Sequence, residues 1–203
     1  MMTLRNLGAM ALTLCLVMPL ARAQAPARTD TQDDSDIVVR AEKDGENIIL
    51  DVEMPVQASL AAVWDVFTDY DHMAQFVANV HSSRITDRNG NTLLVAQKSS
   101  TEFGLLKFSF ENVRQVELIP HKEIRSRLVS GDMKDSAFTT RLISDPGGFT
   151  HVFNHGVFVP TMWVPPIVGT AFLESETRRQ FLELRNEIMR RETVQKAAPP
   201  SVQ

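Results

Sequence analysis

The sequence predicts an α+β fold in which one antiparallel sheet curves around a single long C-terminal helix. Three observations carry this. Apolar and polar residues alternate with period two over most of the stretch from Ile37 to Val159. Turn formers at Asp44-Gly45-Glu46-Asn47, Asn89-Gly90-Asn91 and Pro146-Gly147-Gly148 cut that stretch into strands. After Pro165-Pro166 the period changes to that of a helix, from Ile167 to about Arg191. An antiparallel sheet has one apolar face to cover, and only this last element is long enough to cover it.

The elements follow in order. Ile37–Lys43 and Ile48–Met54 form a hairpin, with Ile48, Leu50, Val52 and Met54 on one face. Pro55 closes it. Ser59 is placed to cap a helix bearing Leu60, Val63, Trp64 and Phe67, and Asp71 to cap a short second one with Met73, Phe76 and Val77. A meander comes next: Val80–Thr86, Thr92–Glu102, Leu105–Leu118, Glu123–Val129, Ala137–Ser144 and Phe149–Val159. The terminal helix carries Val168, Ala171, Phe172, Phe181, Leu182, Leu184, Ile188 and Met189. Its stretch Glu174–Gln180 holds no large apolar residue, so the sheet opposite is expected to face a void there.

Residues 1–23 read as a secretory signal. Arg5 gives the positive start, Leu7 to Leu20 the apolar run, and Ala21-Arg22-Ala23 the small-x-small cleavage pattern. The run is too short to span about 30 Å of hydrocarbon comfortably. A periplasmic location is therefore expected. Residues 24–36 form a polar, acidic leader and 193–203 a matching tail, both expected to be disordered, which leaves 37–192 as one domain. The only cysteine of the 203 residues, Cys15, lies in the signal, so disulfide stapling and thiol catalysis are excluded for the exported chain. With a net charge of −4 and no Lys/Arg run, nucleic acid is not an expected partner.

Three stretches resemble a known family. They are Val56–Tyr70 (VQASLAAVWDVFTDY) with Phe76 and Val77, the Gly-centred turn Ser130–Lys134, and Met162–Arg191, where WVPPIVG leads into a helix ending LRNEIMRR. On these the chain resembles the START-like helix-grip superfamily, which includes polyketide cyclase/dehydrases and ubiquinone-binding proteins, over about residues 47 to 192. The resemblance implies a helix-grip sheet and a ligand cavity between sheet and helix.

Candidate ligand-binding residues come from faces and composition. On the third meander strand Leu106, Phe108, Phe110, Asn112, Arg114, Val116 and Leu118 share a face. Arg114 then points inward as an anchor for a ligand carbonyl or carboxylate, unless a bulge near Asn112 turns it to solvent. The chain has 11 phenylalanines against one tyrosine. Of these Phe76, Phe108, Phe110, Phe138, Phe153, Phe172 and Phe181 either line an apolar pocket or fill a solid core. His151 and His155 stand four apart on a strand, about 13 Å, too far to share a metal ion. His155 either lines the cavity or lies on the solvated face. The apolar, proline-rich segment Val157–Val168 reads as a stiff loop, either a cavity lid or transient membrane contact with Trp163 at the interface, or a packing element under the helix. No fingerprint for a metal, nucleotide or dinucleotide cofactor is present, so none is expected.

The expected function is periplasmic binding or transfer of a hydrophobic small molecule such as a lipid, quinone or polyketide-like compound. The alternative is a polyketide cyclase or dehydratase using the same cavity.

Overall fold

The computed structural model describes residues 34–103, 106–161 and 166–197. The expected signal and most of the expected leader, the last residues of the expected tail, and Trp163 lie outside them. Eight strands build one antiparallel sheet: β1 (Val38–Asp44), β2 (Asn47–Val56), β3 (Val80–Asn89), β4 (Thr92–Phe103), β5 (Leu106–Ile119), β6 (Glu123–Gly131), β7 (Met133–Ser144) and β8 (Thr150–Pro160). The helices are α1 (Leu60–Phe67) and α2 (Pro166–Ala197), with 3-10 segments at Asp34–Asp36 and Tyr70–Gln75. The strand order is β1-β2-β8-β7-β6-β5-β4-β3. After β2 the chain crosses to the far edge through α1, then meanders back until β8 pairs with β2, from Ile48↔Phe158 to Val56↔Thr150.

Register decides which face is inward. Ile48, Leu50, Val52 and Met54 of β2 are buried and stand opposite Phe158, Gly156, Asn154 and Val152 of β8. These in turn oppose Ser136, Phe138, Thr140 and Leu142 of β7. That concave face packs on α1, which buries Val63, Trp64 and Phe67, and on the Phe181, Leu184 and Ile188 stripe of α2. Ser59 caps α1 by accepting the Ala62 N–H at 3.3 Å, and donates its own hydroxyl to Glu192 at 2.8 Å. Gly156 is required by Phe138: a Cβ there would sit 2.1 Å from the ring, which itself stacks on Phe158.

Three boundaries differ from the sequence expectation. Thr193 to Ala197 continue α2 instead of belonging to the tail, with Lys196 pairing with Glu192 at 3.1 Å. Asp34 to Asp36 are folded, because Asp36 pairs with Arg185, a fully buried side chain on the apolar stripe of α2. Val157 to Pro160 continue β8 and are not loop. The β2 register ends at Ile48↔Phe158, so Pro160 faces only β7, where its missing N–H breaks no ladder with β2.

Polar side chains fasten α2 to the rest of the fold. Glu174 accepts the Ala41 N–H at 3.0 Å and Arg178 donates to the Ile37 carbonyl at 3.1 Å, which covers the exposed edge of β1. Further along, Glu183 accepts the Ala78 N–H at 2.9 Å and Arg191 meets Asp69 at 2.8 Å. Glu187 accepts from Arg190 at 2.7 and 2.8 Å and from Arg191 at 2.7 Å. Those hydrogen bonds, Arg190 first, hold its carboxyl down at about 2 against an ordinary 4.5. Because the folded value is lowered, the stabilisation is present above the ordinary value and is lost as pH falls from about 5 to about 2. Thermal unfolding of Glu187→Gln and the parent chain is therefore expected to differ near neutral pH and to converge in acid; a gap that persists at pH about 2 would contradict this.

Candidate functional site

A cavity of about 300 Å³ lies between the concave face and α2. One part of its wall is apolar: Phe108 and Phe110 of β5, Met133 of β7, Phe158 and Pro160 of β8, and Phe172 and Leu173 of α2. The other part is polar, from Asn79, from Ser99, Ser100 and Thr101 of β4, and from Glu176, Thr177 and Gln180 of α2. The void falls where the helix lacks large apolar residues, as the Glu174–Gln180 stretch predicts. The polar side chains Glu176, Thr177 and Gln180 border the space there in place of a leucine or phenylalanine that would fill it.

Two carboxylates reach this wall, and both are held. Glu176 takes the Thr101 hydroxyl at 3.3 Å and Arg179 at 2.5 Å. Asp132 accepts the Glu111 N–H at 2.7 Å. Next to the cavity on the sheet, Gln97 and Asn112 stand opposite each other, then Val95 and Arg114. The Arg114 Nη2 donates to the Gln97 side-chain oxygen, and Gln97 donates to the Ser83 hydroxyl at 3.1 Å. Burial holds the Arg114 guanidinium below its usual range, and burial pushes the nearby Tyr70 hydroxyl up to about 12.

The structure thus brings Phe108, Phe110 and Phe172 together on the cavity wall, with Asn112 and Arg114 on the same concave face just beyond it. A bulge does occur here, but it falls on β6: Val113 opposes Ser130 and Arg114 opposes Leu128, so Val129 is the extra residue and Arg114 keeps its inward face. The other candidates are placed elsewhere. Phe153 and His155 face outward, because their strand neighbours Val152, Gly156 and Phe158 take the inward positions. His155 pairs with Asp51 at 2.8 Å, and both it and Phe153 line a charged groove of about 370 Å³ on the convex side with Arg40 and Arg141. Phe138 covers Gly156, Phe181 packs on Phe67 at 6.1 Å, and Phe76 lies under Arg191 at 5.4 Å. Asp71 is not a helix cap; it accepts the Ile85 N–H at 2.8 Å, while Asp69 binds His72 and Arg191.

Sequence reasoning missed the polar wall, Asn79, Thr177 and Gln180 above all. The one available signal was the weakly apolar stretch of α2, which pointed to a void without naming its lining.

Against known families, residues 56–159 match the polyketide cyclase/dehydrase and lipid transport family. The chain belongs to this family. The matched stretch runs from the end of β2 to the end of β8, so the family region contains α1 and the whole meander. Its solved relatives in fold include a STAR-related lipid transfer protein from Xanthomonas axonopodis (TM-score 0.64, 12% identity, covering 78% of this chain and 96% of that one). The Zhui aromatase/cyclase from a Streptomyces species aligns with TM-score 0.59 and 14% identity over 77% of this chain and 99% of its own. A START superfamily protein from Mycobacterium smegmatis aligns with TM-score 0.60 and 12% identity, over 70% and 97% of the two chains. These likenesses establish the helix-grip fold. No curated protein matches by sequence. Among the described residues, no helix is long and apolar enough to cross a membrane.

Proposed function

We propose that this family member is an exported, periplasmic protein that binds and carries a hydrophobic small molecule of the lipid, quinone or polyketide-like kind. The observation that carries the reading is the cavity itself, whose wall is aromatic and aliphatic on one side and polar on the other. Burial supplies the affinity: each CH₂ removed from water contributes about 0.8 kcal/mol, so an apolar tail needs few polar contacts. A cyclase or dehydratase would need convergent groups free to move protons. The two carboxylates on the wall are engaged with Arg179, Thr101 and the Glu111 N–H, which supports binding over that alternative. The export half of the reading is supported by the signal-like residues 1–23.

Two measurements test it. Native mass spectrometry of protein made in a membrane-containing host is expected to show a co-purified lipid-sized adduct. Leu173→Trp, which fills the cavity from α2, is expected to remove that adduct and to weaken uptake of an added fatty acid at least about tenfold while the protein stays folded. A chain that neither carries nor accepts any lipid would sink the proposal.

A further inference from the structure

We infer that the ligand carries an anionic head group, a carboxylate on an apolar tail, and that Arg114 receives it just beyond the inner end of the cavity. This rests on the proposal that the cavity holds a hydrophobic molecule, and names its class.

Opposed pairs on β4 and β5 step along the concave face. Thr101 with Phe108 and Ser99 with Phe110 line the cavity; Gln97 with Asn112 come next, then Val95 with Arg114. Same-face residues are spaced by about 6.7 Å, so a head group one row past the cavity wall enters the Gln97–Asn112 row. The Arg114 side chain leans back into that row, since its Nη2 reaches Gln97. The guanidinium therefore stands just beyond the Ser99–Phe110 end of the cavity, behind the Gln97–Asn112 row.

Its charge is uncompensated. Among the described residues no carboxylate pairs with Arg114, its Nε is buried without a hydrogen-bond partner, and so is the Asn112 side-chain oxygen. Tyr70 is the one group in electrostatic reach, and with its hydroxyl pushed up to about 12 it is neutral at ordinary pH. The contrast lies within the same fold. Arg185, equally enclosed, is given Asp36. A buried cation left unpaired is among the most unfavourable arrangements a fold can hold. A neutral carbonyl would satisfy an N–H and leave the charge. A carboxylate does both, and its two oxygens match the guanidinium fork.

Calorimetric titration of the full chain with dodecanoic acid, dodecanol and acetate tests this. The acid is expected to bind at least about tenfold more tightly than the alcohol, as a charge-assisted hydrogen bond would add, and acetate, which has the head without the tail, is expected not to compete. Arg114→Gln is expected to lose the preference for the acid over the alcohol. Equal binding of acid and alcohol by the parent chain, or a preference that survives Arg114→Gln, overturns the inference while leaving the cavity reading intact. Failure of both lipids to bind overturns the cavity reading itself. Ligand-free Arg114→Met is expected to unfold at the same temperature as the parent chain or higher; a large fall would show that the guanidinium contributes net stability without a ligand and would overturn the inference.

Discussion

Replacing Asp36 with alanine is expected to destabilise the protein by about 3 kcal/mol, the low end of the cost of breaking a buried ion pair. The reason is asymmetry. Arg185 is fully buried, whereas Asp36 remains 38% exposed, so solvent screens the carboxylate and not the guanidinium. Removing the acid takes a carboxylate away from a cation that α2 holds on its buried stripe with Leu184 and Ile188. Arg185→Met keeps most of the side-chain volume and removes the charge, so it is expected to cost about 1 kcal/mol or less. Urea unfolding of the two variants checks this. A methionine variant as unstable as the alanine one would mean that Arg185 contributes net stability and that its charge is not the issue. The pair also explains why residues 34–36 are folded at all: the acid comes from the leader because α2 has placed its partner inside.

Gly131→Ala is expected to cost at least about 3 kcal/mol. Gly131 has φ 141°, and a Cβ there would lie 2.3 Å from the Glu111 carbonyl oxygen and 2.6 Å from the Asn112 Cα. Both are backbone atoms of β5, so no rotamer change relieves the contact. The same spot is bound by the Asp132 N–H to the Glu111 carbonyl at 3.0 Å and by the Glu111 N–H to the Asp132 carboxylate at 2.7 Å. Moving the strand would therefore also disturb the cavity wall at Asp132. Gly90 is the control: its φ is 58°, with nothing within 4 Å of an added Cβ, so Gly90→Ala is expected to cost only about 1–2 kcal/mol of backbone strain. Similar losses at the two sites would show that conformation, not the close approach, sets the cost.

Periodicity made most of the scaffold legible. All eight strands and both helices stand where alternation and turn residues put them, with the largest differences at the start of β7, Met133 against Ala137, and at the end of α2, Ala197 against Arg191. The β5 face was readable because large apolar residues dominate one side, so Phe108, Phe110, Asn112 and Arg114 could be grouped without the structure. On β8 the same reasoning failed. Phe149, Phe153 and Val157 occupy one side and Val152, Gly156 and Phe158 the other, so neither side is clearly the apolar one. Only pairing with the strongly alternating β2 settled the face, sending Phe153 and His155 outward.

Arg185 illustrates the opposite error. Its position four residues after Phe181 places it on the buried stripe, but a charged side chain reads as solvated unless its partner is known. The partner is 149 residues away in sequence. The same limit applies to the phenylalanines, since a ring that lines a cavity and a ring that fills a core have the same composition and spacing.

By itself, the sequence determined the order of elements, the residues that share each face, and the stretch of α2 without large apolar side chains to close the interior. Those are local properties, set by backbone period and side-chain size over a few residues. The tertiary structure alone decided which face is concave, which aromatic rings border empty space, and which buried arginine has an acid to neutralise it. These depend on strand register and on contacts between residues far apart in the chain, where a single pairing choice inverts every side chain of a strand.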